Sequence, residues 1–184
     1  FGIPFTTVPD RSDVPRSAAR PLRYMDRYVT VNQGEVFYMT EALAHLEGLE
    51  RGPAGNISLA AAFVIAQSMD KNQTIVVQET EYTGAGKHIQ PQLSFARNNG
   101  IEIRMGNPID EVPGKSIVLP SHPSLIKVQD LDLNKLRKSL IKNSLKETNI
   151  EDQKNLTDKD IRFLACETKS SRLIVKEIIR TIEP

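Results

Sequence analysis

The chain has 184 residues and carries 24 Lys and Arg against 23 Asp and Glu, a net charge of +1, so its charge balance points to neither nucleic acid nor an anionic membrane as a partner. Its single cysteine, Cys166, excludes an internal disulfide, and His45, His88 and His122 are too isolated to form a metal site with zinc spacing. No apolar run reaches the roughly 18 residues of a membrane span, and no signal-peptide pattern is present; the expectation is a cytoplasmic protein.

Residues 1–27 are proline-rich and hold Arg11, Arg16, Arg20, Arg23 and Arg27, a composition that predicts an extended, wrapped segment. Its arginines are either solvated or grip an anion, with Arg16 and Arg20 the candidates. From Tyr28, "YVTVNQ" alternates as a strand does, and "GEVFYMTEALAHLEG" sets Val36, Met39, Leu43 and Leu46 on one helical stripe that Gly48 ends. "ISLAAAFVIAQSM" is apolar on nearly every face, which predicts a helix buried between neighbours, with Asn56 as its N-cap.

"TIVVQ" (74–78) reads as a short strand, "PQLSFARNNG" as a helix closed by Asn99-Gly100, and "IEIRMG" and "KSIVLP" as two further strands. Strands alternating with helices over short connections predict an α/β layer built on a parallel sheet. Beyond residue 122 the composition turns charged and helical. "LDLNKLRKSLIKNSL" puts Leu133, Leu136 and Leu140 on one face, Thr157 and Asp160 form a capping box, and "SSRLIVKEIIRTI" is a third helix. Cys166 beside Leu164 reads as a buried core thiol. The organisation expected is therefore an extended segment at 1–27, an α/β portion at 28–122 and a helical tail at 123–184.

Two segments are candidates for chemistry. "TGAGKH" follows the 74–78 run, and glycines after a parallel strand lie at the sheet edge where α/β proteins hold ligands. "EGLERGPAGNISLAAA" leads through a Pro-Ala-Gly-Asn turn into a small-residue helix whose first amides are free for a guest. Neither is decisive alone, and each is also compatible with ordinary turn punctuation.

In order, a strand, a helix, "EG…P", an Ala-rich helix, a strand and "TG.G" resemble the later part of fold-type II pyridoxal-phosphate enzymes of the threonine synthase kind. The resemblance implies that the α/β portion is part of a three-layer parallel-sheet cofactor domain, with Thr83, Gly84 and Gly86 at the cofactor and Thr83 facing its pyridine nitrogen. Counting from the strand instead puts Gln78 or Glu79 there, and Glu79 and Thr80 are the rivals to Thr83. A hydroxyl would leave that nitrogen neutral and a carboxylate would keep it protonated. The sequence departs from the family in placing Gly52 before Pro53, with the acid at Glu50. It has no match for the family's cofactor-bearing lysine or glycine-rich phosphate loop, since neither Lys87 nor Lys115 has the right context.

Within that fold type, "TVPDRSDVPRSAARPLRYMDRY" and "VVQETEYTGAGKH" resemble the cofactor-bearing subunits of an amino-acid-degrading thiolase family, and that likeness implies a C-terminal fragment, inactive alone, of a pyridoxal-phosphate transferase of ornithine breakdown. Its implied reaction is thiolysis of 2-amino-4-oxopentanoate by coenzyme A, with a small α subunit and a homo-oligomeric assembly as partners. The alternatives are another lyase or synthase of the same fold type, or a non-catalytic α/β module that docks to another subunit.

Overall fold

The computed structural model describes residues 20–79, 88–147 and 156–182. It is mixed α/β, and the described residues divide into two compact units, one of residues 29–129 and one of residues 20–28 with 130–182. Among them are six α-helices and two short parallel strands, along with two strands of two residues each.

The first unit begins with β1 (Val29–Thr30) and the 15-residue α1 (Gln33–Glu47). The expected strand over "YVTVNQ" is cut to two residues because the helix starts early. Asn32 N–H donates to Glu35 Oε2 at 2.6 Å, so the four residues after Val31 are taken by a helix start. Gly48 ends α1 with φ +66°, and its N–H returns to Ala44, the left-handed stop that glycine adopts without a Cβ penalty. Val36 and Met39 are buried as the stripe predicts, but Leu46 is 80% exposed, because the last turn runs past the core.

α2 (Asn56–Ala66) packs one side on α1, where Val36, Met39, Ala60 and Ile126 form a cluster with Leu59, Phe63 and Val64 against it. The expectation of a helix buried all round is not met: Asn56 and Ala60 are its buried residues and Ile57 is 53% exposed. Residues 74–79 form no strand, and Val76 is 92% exposed. A β-branched run becomes a strand only where another strand takes up its amides and carbonyls, and none does so among the described residues.

α3 (Gln90–Asn98), β2 (Glu102–Gly106) and β3 (Ser116–Pro120) follow the expected positions. The strands are parallel, in register from Glu102 with Ser116 to Gly106 with Pro120. α1 and α3 cover this sheet through a core of Phe37, Ile89, Leu93, Ala96 and Ile117, with Ile101, Ile103 and Leu119 at its margin. The approach of α1 is close: a Cβ on Gly34 would lie 1.9 Å from the carbonyl oxygen of Val118. Two carboxylates fix this junction. Glu111 accepts from Gln33 N–H at 2.8 Å and from Gly34 and Val118 N–H at 3.0 Å each. Glu35, 1% exposed, ties Lys127 N–H at 2.8 Å to the helix start. Together they satisfy the amides that a helix N-terminus leaves free.

The second unit contains α4 (Leu133–Glu147), α5 (Asp158–Glu167) and α6 (Arg172–Thr181), preceded by β4 (Gln129–Asp130), a two-residue strand at the passage from the first unit. Leu136 and Leu140 of α4 bury against Leu22, while Ile141 and Leu145 meet Ile161, Leu164, Val175 and Ile179. The capping box at α5 is present, with Thr157 N–H donating to Asp160 Oδ2 at 2.8 Å and Asp160 N–H to Thr157 Oγ1 at 3.3 Å. Cys166 is exposed, contrary to its reading as a core thiol: the inward stripe of α5 runs through Ile161, Leu164 and Thr168, and a residue two after Leu164 points to the other side of the helix.

Candidate functional site

Of the two segments singled out in the sequence, Thr83–Lys87 of "TGAGKH" lie outside the described residues, and the "ERGPAGN" turn meets the 74–79 run that precedes them. The chain turns after α1 through Gly52 and Pro53, both buried, and the Gly52 carbonyl accepts from Gly55 N–H at 3.1 Å and Asn56 N–H at 3.3 Å to launch α2. Ser58, in the first turn of that helix, lies 3.0 Å from the Gly55 carbonyl and 2.9 Å from the Gln78 carbonyl. Its single hydroxyl proton is shared between the turn and the end of the 74–79 run. The "ERGPAGN" turn and Gln78-Glu79 therefore form one wall.

Asn56 is completely buried and is not an N-cap; it is the first helical residue, after Gly55. Its Nδ2 donates to Thr40 Oγ1 at 3.1 Å and reaches the Arg51 carbonyl at 3.4 Å. Thr40 uses its own proton on the Val36 carbonyl at 2.8 Å, so its oxygen needs a donor, which fixes the orientation of the Asn56 amide. Asn56 Oδ1 then faces inward with no partner, and Glu79 Oε2 is a second buried oxygen without one. Burial pushes the Glu79 carboxyl above the ordinary glutamate range, and the Arg51 charge opposes that rise.

Of the residues expected at a cofactor, Glu79 is thus placed in this wall. Thr80, Thr83, Gly84 and Gly86, with Lys87, lie outside the described residues. Glu50, the acid offset from the family position, is exposed. Lys115 is exposed as well, and its carbonyl closes the sheet by accepting from Glu102 N–H at 2.9 Å. Among the opening arginines, Arg23 donates to Glu167 at 2.9 Å and Arg27 to both oxygens of Asp130 at 2.6 and 3.0 Å. These two are engaged within the helical unit. Arg16 and the Arg20 side chain are outside the described residues. The described residues hold no cluster of three or more metal-ligating side chains, and no described helix is long and apolar enough to cross a membrane.

Arg51, Asn56 and Ser58 are the wall residues that sequence reasoning missed. The signal available was an amide and a hydroxyl placed at the start of an otherwise apolar helix, where side chains of that kind find local backbone partners.

The chain is 69% identical over 183 residues to a protein of Acetoanaerobium sticklandii named 2-amino-4-ketopentanoate thiolase beta subunit. It is 56% identical over 182 residues to a second protein of the same name from an unknown prokaryotic organism. These matches take in 100% and 99% of the chain, whereas the chain spans 38% of the length of each relative. No family model and no solved structure matches it.

Proposed function

We propose that the chain is the C-terminal portion of the pyridoxal-phosphate-bearing subunit of a thiolase that cleaves 2-amino-4-oxopentanoate with coenzyme A. The single observation that supports this most strongly is 69% identity, running the length of the chain, to a protein named as the beta subunit of such a thiolase. A beta subunit implies an alpha subunit, so the working enzyme is proposed as a hetero-oligomer, with the reacting lysine and the phosphate cup supplied by residues beyond these 184.

The reaction balances without an added oxidant or reductant. The coenzyme A thiol adds to the C4 carbonyl, the C3–C4 bond breaks, and the thiol proton finishes on C3, giving acetyl-CoA and alanine. Pyridoxal phosphate, when bound, supplies the electron sink that lets negative charge develop at C3.

The wall described above suits such a cofactor through an acceptor oxygen held out of water and left unmatched, Glu79 Oε2. A buried acceptor of this kind costs stability unless a donor reaches it, and a ring N–H is such a donor. Thr83, Gly84 and Gly86, with Thr80, would line the same cofactor: Thr83 as a hydroxyl beside the ring, the glycines by letting backbone amides approach. Gly52 and Pro53 shape the turn, and Ser58 anchors the chain one residue before Glu79.

Thr83→Ala in the full-length subunit, assayed with its partner subunit, is expected to lower kcat at least tenfold while the thermal transition stays in place. Unchanged kinetics would remove Thr83 from the residues that act on the ring and leave that role to Glu79 and Thr80. Absence of the visible absorbance of bound pyridoxal phosphate in the intact subunit would overturn the cofactor assignment and favour a subunit-docking role for the module.

A further inference from the structure

We propose that the outer edge of β2 is an interaction surface for a second copy of this chain, the two β2 strands pairing antiparallel about a two-fold axis at Ile103. The inference is independent of the cofactor reading and concerns how subunits meet.

The hydrogen bonds fix which edge is open. Glu102 N–H donates to the Lys115 carbonyl at 2.9 Å and Ser121 N–H to the Gly106 carbonyl at 3.1 Å, with β2 and β3 parallel and in continuous register between them. Backbone groups that face one neighbour belong to alternate residues of a strand. Glu102, Arg104 and Gly106 therefore face β3, and Ile103 and Met105 turn their N–H and C=O outward. Among the described residues nothing takes these groups up. The far edge of β3 is closed by contrast: Val118 N–H goes to Glu111 at 3.0 Å, Ser116 N–H to the Val112 carbonyl at 2.9 Å, and Gly34 presses on the Val118 carbonyl. An open edge is commonly blunted by Lys, Pro or a bulge. β2 has none of these, and its Met105 is 60% exposed.

The residues of β2 select the occupant. An interior parallel strand, covered on both faces, reads as a continuous apolar run, as β3 does through Ile117, Val118 and Leu119. β2 alternates instead, with Glu102 and Arg104 on one face and Ile103 and Met105 on the other, the pattern of an antiparallel sheet with one solvated side. Its two charges are opposite in sign, and Arg104 Nε lies 3.6 Å from Glu102 Oε1, beyond hydrogen-bond reach. An antiparallel strand of the same sequence centred on Ile103 sets Glu102 of each copy opposite Arg104 of the other. Moving the axis to Arg104 would place the two arginines opposite each other, and like charges in that position are destabilising. The strand is thus complementary to itself in the register centred on Ile103, as an isologous interface requires.

The test follows amide exchange at Ile103 and Met105 in the full-length subunit at rising protein concentration, together with its sedimentation. Exchange at both amides is expected to slow as the dimer forms. Arg104→Glu sets like charges opposite each other and should weaken the dimer by about tenfold or more. Glu102→Arg should do the same, and reads the same contact if the first variant does not fold. Combining Glu102→Arg with Arg104→Glu restores opposite charges and should return dissociation to within about threefold of wild type, a recovery that simple damage to β2 would not show. Amides that exchange slowly at every concentration and are unmoved by Arg104→Glu would mean that another segment of the same subunit covers the edge. Amides that exchange fast throughout would mean that the edge stays open. Either result overturns the proposal, and so does a dimer as weak in the double variant as in the single ones.

Discussion

In residues 29–129 the decisive contacts join backbone to buried polar side chains, whereas in residues 130–182 they join aliphatic side chains at helical spacing. The first unit depends on Glu35 and Glu111 at the start of α1, on Gly34 pressed against Val118, and on a buried Asn56. The second depends on Ile141, Leu145, Ile161, Leu164, Val175 and Ile179, with ordinary caps at its helix starts. A core of the second kind accommodates changes of similar volume. The first kind has fewer substitutes, because each contact needs one particular donor, acceptor or absence of a side chain.

The largest expected effect tests that contrast at Gly34. Any Cβ there meets the Val118 carbonyl at 1.9 Å, and both partners are backbone in a helix and a buried strand, so neither side yields cheaply. Gly34→Ala is expected to destabilise the first unit by about 3 kcal/mol or more. Hydrogen exchange should show protection lost across α1, β2 and β3. If those amides keep their protection, the junction is looser than the close approach implies and the contrast fails.

An intermediate effect is expected at Glu35, whose buried carboxyl is pushed above the ordinary glutamate range first by burial and also by the nearby Glu111 charge, against the pull of the Lys127 and Asn32 amides. A carboxyl whose folded value is raised contributes stability that is complete below its unfolded value and is lost as pH rises through the folded one. Wild-type stability should therefore decline relative to Glu35→Gln as pH is raised from about 4 to about 7, starting near the ordinary glutamate value. The substitution itself should cost about 2 kcal/mol at the acid end, since an amide nitrogen replaces one accepting oxygen. Denaturant midpoints of the two proteins across that range measure both quantities. A gap that widens with pH would show that the two amides, and not burial, dominate at Glu35.

Legibility in the sequence follows the same division. Stripes such as Leu136 and Leu140, the Thr157–Asp160 box and the Gly48 stop are local, so spacing and residue type foretold them. The β2 and β3 segments were equally readable, with Ile117 and Val118 buried as an interior strand requires. "TIVVQ" was misread because strand formation depends on a partner far away in the chain. Cys166 was misplaced because proximity to Leu164 in sequence was taken for proximity on the helix face. At the candidate site Glu79 was offered by the family resemblance, as a rival to Thr83, and its neighbours could not be read at all: Arg51, Asn56 and Ser58 matter only once the 51–58 turn and the end of the 74–79 run are brought side by side.

The smallest effect should come from the second unit's caps. At α5, Thr157 Oγ1 accepts from Asp160 N–H at 3.3 Å, and Asp160 returns a carboxylate to Thr157 N–H at 2.8 Å and to its hydroxyl at 2.6 Å. Those bonds hold the Asp160 carboxyl below the ordinary aspartate range, which agrees with a negative charge at a helix N-terminus. Thr157→Ala removes the hydroxyl and leaves Asp160 its bond to the backbone, so the loss should be about 1 kcal/mol. Because the site is exposed and α5 is anchored by Ile161 and Leu164, the helix should persist and the loss appear as a small fall in denaturant midpoint. A loss as large as that at Gly34 would mean that the helical unit depends on single polar contacts as heavily as the α/β unit does, and the distinction between them would not survive.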